Sequence, residues 1–148
     1  FLGVEHRLEY VRYWHGITWI NDSIATAPER TMAAIRSFTE PLVLLLGGHD
    51  KNLPWDTLAE MIHERVEHII LFGEATEKIS AAIGSPQPGD RLVDVQIASD
   101  FENALNLAAQ VAEENDTVLL SPGCTAYDAF RDFEERGNFF KNWVNALP

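Results

Sequence analysis

Three short polar segments hold the side chains in this sequence that could do chemistry. They are residues 21–26, 47–51 and 121–127, and each follows a short apolar run. Together they offer the cation of Lys51, the hydroxyls of Thr26 and Thr125, and backbone N–H groups. A cation combined with hydrogen-bond donors suits an anion such as a carboxylate or a phosphate. The segments therefore predict an anion-binding site, provided that the fold brings them together.

The stretch 117–140 indicates how such a site is built. Residues 118–120 are typical of a buried strand, and Ser121-Pro122-Gly123 ends it, because proline lacks an N–H and glycine permits unusual φ angles. Apolar residues then recur every three or four positions, at Ala126, Phe130, Phe133, Phe140, Val144 and Leu147. This spacing predicts a helix that follows the strand at once. The N–H groups at its start would attract an anion, although an ordinary strand–turn–helix unit has the same pattern.

Each candidate side chain also has a purely structural interpretation. Lys51 follows a glycine pair that allows close approach of the backbone to a ligand, but an exposed loop lysine fits equally well. Thr26 has a glutamate three residues later and is expected to cap a helix. Asp22 is a candidate for orienting a sugar hydroxyl or for closing an Asx-turn. Cys124 has no basic neighbour in the sequence and is expected to be a small buried residue, not a nucleophile.

The elements that would position these segments alternate along the chain. Residues 8–14 and 17–20 indicate a hairpin that turns at His15-Gly16. Apolar runs predict strands at 41–46, 69–72, 92–95 and 118–120. Helical periodicity predicts helices at 26–38, 55–66 and 76–83. A further helix is predicted after a capping box at Ser99-Asp100-Phe101-Glu102. The predicted fold is α/β and Rossmann-like. Its mostly parallel sheet has helices on both faces and an antiparallel N-terminal hairpin at one edge. Ligands of such sheets bind beyond the carboxyl ends of the strands.

Composition restricts the classes of partner. The 148 residues fit one domain, and a net charge of −12 argues against nucleic acid and anionic membranes as partners. No apolar run approaches the roughly 20 residues of a membrane span. The single cysteine excludes an internal disulfide and favours the cytoplasm. The five histidines lack ligand spacing, so no metal site is predicted, and the phosphate-loop and dinucleotide-binding motifs are absent.

Four motifs in fixed order carry a resemblance to a known family. They are His6-Arg7-Leu8-Glu9, Ile20-Asn21-Asp22-Ser23-x-Ala25-Thr26, Gly47-Gly48-x-Asp50-Lys51 and Leu119-Leu120-Ser121-Pro122-x-Cys124, followed by Asp128, Phe130, Phe133-Glu134 and Arg136-Gly137. In this order they resemble the C-terminal domain of the Mur ligases, most closely of the members that add D-glutamate. The resemblance covers residues 6–148, with residues 1–5 as the hinge from a central ATP-binding domain.

The resemblance implies an ATP-dependent, amide-forming ligase of peptidoglycan synthesis, in which the isolated domain is inactive. In that family ATP phosphorylates the carboxylate of UDP-N-acetylmuramoyl-L-alanine, and the amino group of glutamate then displaces phosphate. Other domains bind most of the UDP-sugar, ATP and Mg²⁺. Carried over by motif, the glutamate-binding positions are Thr26, Lys51, Thr125, Ala126, Tyr127 and Phe130. Arg7 and Asp22 are the positions that close onto ATP, and no catalytic residue or metal ligand is assigned.

Two departures from the family pattern leave the amino acid open. Ile24 stands where such ligases often have lysine, and Ala126 stands where they place a glutamate-binding serine, with Thr125 next to it. We expect both changes to touch the amino-acid pocket. The alternatives are the same chemistry with L-glutamate and a folylpolyglutamate synthase-like domain. A distant alternative is a non-catalytic, receiver-like module with Asp22 and Asp50 as its acidic cluster.

Overall fold

A six-stranded sheet organises the computed structural model, which describes residues 4–148. Its strands are β1 (Glu9–Trp14), β2 (Ile17–Asn21), β3 (Leu42–Gly47), β4 (His68–Phe72), β5 (Asp94–Ile97) and β6 (Thr117–Leu120). The helices are α1 (Pro28–Arg36), α2 (Asp56–Arg65), α3 (Thr76–Ile83), α4 (Phe101–Val111) and α5 (Phe133–Asn145). The strand order is β1-β2-β6-β3-β4-β5, antiparallel between β1 and β2 and parallel elsewhere. The predicted α/β fold with an antiparallel edge is confirmed.

Both faces of the sheet are covered by helices. In β3, Leu44 packs into a core shared with α1, α2 and α3, whereas Leu45 packs into a second core shared with α4 and α5. Every residue of β3 is therefore buried, which explains why its sequence is apolar without alternation. In the described part of the chain, no helix is both long and apolar enough to cross a membrane.

The helix predicted directly after β6 begins later than expected. Residues 121–132 form an irregular loop, and α5 starts at Phe133. The carboxylate of Asp132 caps α5 by accepting a hydrogen bond from the Glu135 N–H at 2.8 Å. Ala126 is buried and Phe130 is half-buried in this loop, and neither residue is helical. Their spacing therefore reflects burial within a loop and not a helical repeat. The predicted helix-start N–H groups are therefore not available next to β6.

The predicted threonine cap of α1 is also wrong. The N-cap is Ala27, and no side chain makes the capping hydrogen bond. The residue before a proline is confined to extended conformations, and Pro28 accordingly holds Ala27 at φ −142° and ψ 151°. This moves the helix start one residue past Thr26, whose hydroxyl is left without that role. The helix ends at Arg36, two residues earlier than predicted.

Two further boundaries differ from the sequence-based expectation. The cap of α4 is Asp100, whose carboxylate accepts from the Asn103 N–H at 2.8 Å, and not Ser99. Strand β5 covers Asp94–Ile97 instead of residues 92–95, because its parallel pairing with β4 starts with Asp94 opposite His68.

Candidate functional site

The three polar segments leave the sheet side by side. Strand β6 lies between β2 and β3, so the loop that follows it is flanked by the other two loops. The Gly123 N–H donates to the Ala25 carbonyl at 2.9 Å on one side. On the other side His49 and Thr125 exchange two backbone hydrogen bonds, at 2.9 and 3.2 Å. The predicted meeting of these segments at the carboxyl ends of the strands is thus observed.

Neighbouring backbone packs so closely against the glycine pair after β3 that no larger residue fits there. Gly47 and Gly48 have φ values of 147° and 131°, which side chains rarely tolerate. A Cβ at Gly47 would lie 1.9 Å from the Phe72 carbonyl oxygen, and one at Gly48 would lie 2.5 Å from the Thr125 carbonyl oxygen. The pair therefore allows close approach, as predicted, but of protein backbone. It fixes the start of the loop that carries Lys51.

The candidate glutamate residues lie on all three loops. Lys51 is exposed in the loop after β3, and Thr26 is half-buried in the loop after β2. Between them, the Thr125 hydroxyl lies 3.4 Å from the His49 carbonyl oxygen, to which it donates. Ala126 is buried and Tyr127 is exposed. The Thr125 hydroxyl thus has a partner in the loop after β3, and its role toward glutamate stays a prediction.

Phe130 takes part in packing. Its ring stacks edge-on with Phe101 at a centroid distance of 5.5 Å and lies 5.8 Å from the ring of Phe139. Its backbone N–H donates to the Ala126 carbonyl at 2.8 Å. The carbonyl is thus the polar backbone group that Phe130 could offer to a ligand.

Arg7 and Asp22 line one cavity of about 230 Å³, together with Ile24 and Arg30. Asp22 is fixed at its floor, since its carboxylate accepts from the Leu8 N–H at 3.0 Å and from the Ser121 hydroxyl at 2.7 Å. Ile24 therefore lies beside Arg7 and Asp22, the predicted ATP-closing residues, whereas we expected it to line the amino-acid pocket.

The pKa of Asp22 is raised to about 6. Burial is the main cause, because the side chain is only 4% exposed and the charged form loses its hydration. The Ser121 and Leu8 hydrogen bonds, and then the charges of Arg7 and Arg30, act in the opposite direction. Near neutral pH the carboxylate is thus ionised, although burial makes its ionised form less stable than in water. A further hydrogen bond to it would stabilise that form.

A buried arginine that the sequence reasoning left without a role ties α5 to the loop after β2. Arg136 is 1% exposed, and it donates from Nε to the Ser23 hydroxyl at 3.0 Å and from Nη2 to the Ser23 carbonyl at 2.8 Å. Burial lowers its pKa to about 10. Its position was a usable signal, because it falls three residues after Phe133 and four before Phe140, on the apolar face of α5.

The segment that carries Arg7 is held by a second polar network. His6 is buried with φ 67°, and its Nδ1 accepts from the Asn21 side-chain amide at 2.9 Å. Glu9 accepts from the His6 N–H and from the same amide, each at 3.0 Å, and from Lys141 of α5 at 3.2 Å. Gly137 leaves room for this network, since a Cβ there would lie 2.2 Å from His6 Nδ1.

Residues 4–148 include no group of three or more histidine, cysteine, aspartate or glutamate side chains placed to hold a metal ion. Cys124 is buried, which raises its pKa to about 12. This confirms it as a packing residue, since a nucleophile requires the thiolate.

The family model of the Mur ligase, glutamate ligase domain, matches residues 6–124. This chain belongs to the Mur ligase family. The UDP-N-acetylmuramoylalanine–D-glutamate ligase of Symbiobacterium thermophilum is 44% identical to this Mur ligase domain, over 99% of the chain and 32% of that protein. The ligase of the same name from Clostridium botulinum is 40% identical, over the same shares of the two chains. The chain thus spans about a third of the length of these relatives.

The fold is also similar to solved structures. A bifunctional folylpolyglutamate synthase/dihydrofolate synthase with Mn, AMPPNP and L-glutamate bound matches with a TM-score of 0.63 at 16% identity. The match covers 96% of this chain and 32% of that chain, and at this identity it concerns the fold alone. The predicted Mur ligase resemblance is confirmed, and family membership removes the receiver-like alternative. The roles of the individual site residues stay predictions.

Proposed function

We propose that this chain is the glutamate-binding domain of an ATP-dependent ligase that adds D-glutamate to UDP-N-acetylmuramoyl-L-alanine in peptidoglycan synthesis. ATP supplies the phosphoryl group that activates the substrate carboxylate, and attack by the glutamate amino group releases phosphate and forms the amide. Residues 1–5 act as the hinge to the ATP-binding domain; residues 1–3 lie outside the described part of the structure. The proposal includes a cytoplasmic location, which the single cysteine supports.

The observation that carries the proposal is the placement of Lys51 and Thr26 on the two loops that flank the loop after β6. This arrangement occurs in a chain whose curated relatives are D-glutamate ligases. Glutamate brings two carboxylates, and in a protein of net charge −12 a local cation is needed to attract them. Lys51 provides this charge, and Thr26 provides a hydroxyl that no helix cap occupies.

Arg7 and Asp22 would serve the nucleotide from the neighbouring cavity. The guanidinium of Arg7 suits phosphate oxygens, and the Asp22 carboxylate can accept from a ribose hydroxyl because it has acceptor capacity beyond its two present partners. As in the family that the chain belongs to, we expect Mg²⁺ to accompany ATP and to be held mainly by the ATP-binding domain.

L-glutamate is the second candidate substrate, because Ala126 lacks a hydroxyl that could help to distinguish the two enantiomers. A serine hydroxyl at this position would help to fix one carboxylate, and Thr125 does not replace it, since its own hydroxyl faces the His49 carbonyl. The stereochemical preference would then depend on fewer polar contacts than in a ligase with serine at that position.

A titration of the 148-residue chain, followed by NMR, tests the proposal. D-glutamate should shift the amide signals of Thr26, Lys51 and residues 125–130, and Lys51→Ala should weaken the response at least about tenfold, because a charge-assisted hydrogen bond contributes roughly 1.5–3 kcal/mol. Arg91→Ala removes an exposed positive charge just before the edge strand β5. Because the candidate site lies after its strands and not before them, this variant should change nothing.

Three outcomes separate the alternatives. A response to L-glutamate alone would replace D-glutamate by its enantiomer in the proposal. Equal losses in the Lys51 and Arg91 variants would remove Lys51 from the site and reduce the effect to general charge. A full-length protein that released no phosphate from ATP in the presence of UDP-N-acetylmuramoyl-L-alanine and either glutamate would refute the ligase function itself.

A further inference from the structure

The cavity that contains Arg7 and Asp22 has a second arginine on its wall. Arg30 lies in the first turn of α1 and lines the same space of about 230 Å³. Its guanidinium charge acts on the Asp22 carboxylate and lowers the pKa of that group against the effect of burial. Arg30 therefore adds positive charge to the surroundings of Asp22.

Two exposed arginines line one cavity of a strongly acidic chain. Acidic residues number 23 and basic residues 11. Arg12, by contrast, donates to the carbonyls of Val144 and Leu147 at 2.9 and 2.8 Å. Within residues 4–148 the side chains of Arg7 and Arg30 have neither a hydrogen bond nor an ion pair. Their positive charge is therefore available to a ligand.

The residues around Arg30 leave it as a source of positive charge in this part of the cavity. Ile24 lines this cavity and supplies no charge. Arg30 supplies a cation from the adjacent helix instead. Leu8, Ala33 and Ala34 form an apolar wall beside the two arginines, so the cavity can receive a group with both a charged and an uncharged part.

We propose that Arg30 is a further binding residue of this site, which together with Arg7 contacts the phosphate groups of a nucleoside triphosphate. Planar guanidinium groups form paired hydrogen bonds with phosphate oxygens, and two of them neutralise more of the charge than one. The inference rests on the proposed function, because it assigns a new contact to the nucleotide side of that ligase.

The test compares two arginines of the same helix. Arg30→Ala and Arg36→Ala remove the same charge from α1, and both residues are exposed, but Arg36 is in the last turn and does not line the cavity. The chain is titrated with ATP and followed by NMR at Leu8 and Asp22. Arg30→Ala should raise the dissociation constant roughly tenfold, and Arg30→Lys should recover part of the loss. Arg36→Ala should leave it unchanged.

The full-length ligase gives a second readout. Arg30→Ala should raise KM for ATP by a similar factor and leave KM for glutamate unchanged. If Arg7→Ala weakens ATP binding while Arg30→Ala behaves like Arg36→Ala, the inference about Arg30 is wrong and the proposed function stands. If ATP shifts no signal of the cavity in the unsubstituted chain, and neither arginine variant alters KM for ATP, the nucleotide role of the whole cavity is refuted.

Discussion

Replacing Asp22 by asparagine should stabilise the fold at neutral and alkaline pH. Burial raises the pKa of this carboxyl from 3.8 to about 6, so the ionised form is disfavoured in the folded state. At 1.36 kcal/mol per pKa unit, the difference corresponds to about 3 kcal/mol of stability lost to ionisation. Asparagine is uncharged, keeps an acceptor for the Leu8 N–H and can donate to the Ser121 hydroxyl oxygen.

The effect has a defined pH dependence. Between pH 3.8 and 6 the folded state binds the Asp22 proton more tightly than the unfolded state, so stability falls as the pH rises through this window. Asp22→Asn removes that fall. The gain should be absent near pH 3, about half developed at pH 5 and complete, at up to about 3 kcal/mol, at pH 8.

Urea denaturation of both proteins at several pH values measures this difference. Glu60→Gln is the matched control, because Glu60 is an exposed carboxylate on α2 and its replacement removes the same charge. A gain of the same size at pH 4 and pH 8, or a gain equal to that of the control, would refute the assignment to Asp22 ionisation. Weaker ATP binding should accompany the gain, since functional groups are often held at a cost in stability.

Two further predictions concern packing and charge away from the cavity. Gly137→Ala should destabilise the protein by about 1–2 kcal/mol in denaturation experiments, because the new Cβ would lie 2.2 Å from Nδ1 of the buried His6. This loss should exceed the gain from the higher helix propensity of alanine. An unchanged stability would mean that His6 can move. The pKa of His63 is raised by its hydrogen bond to the Ile83 carbonyl and by Asp90, so His63→Ala should cost stability at pH 6 and progressively less as the pH rises through that raised pKa. A cost that grows toward pH 9 would contradict this assignment.

The sheet could be predicted because its strands leave strong local patterns. The fully apolar run of β3 indicated a strand covered on both faces, and the structure has helices on each side of it. The helix start after β6 could not be found in this way. Phe130 follows helical spacing, but it is held in an irregular loop by packing against Phe101, which is distant in sequence.

The meeting of the three polar loops could be predicted, but not which of their side chains share a cavity. Asp22 and Lys51 were found as polar residues at strand ends. That Ile24 and Arg30 share a cavity with Asp22 depends on how α1 packs against the sheet, which no local sequence pattern shows.

The position of β6 has a consequence for synthesis of the chain. Residues 117–120 are close to its C-terminal end, yet they form the strand that joins β2 to β3. A nascent chain that lacks them has a hairpin and a separate three-stranded unit with no ladder between the two. Completion of the sheet must therefore wait until the last strand has left the ribosome, and such long-range pairing is slow. Because the loop after β6 follows directly, the candidate site is assembled in the same late step.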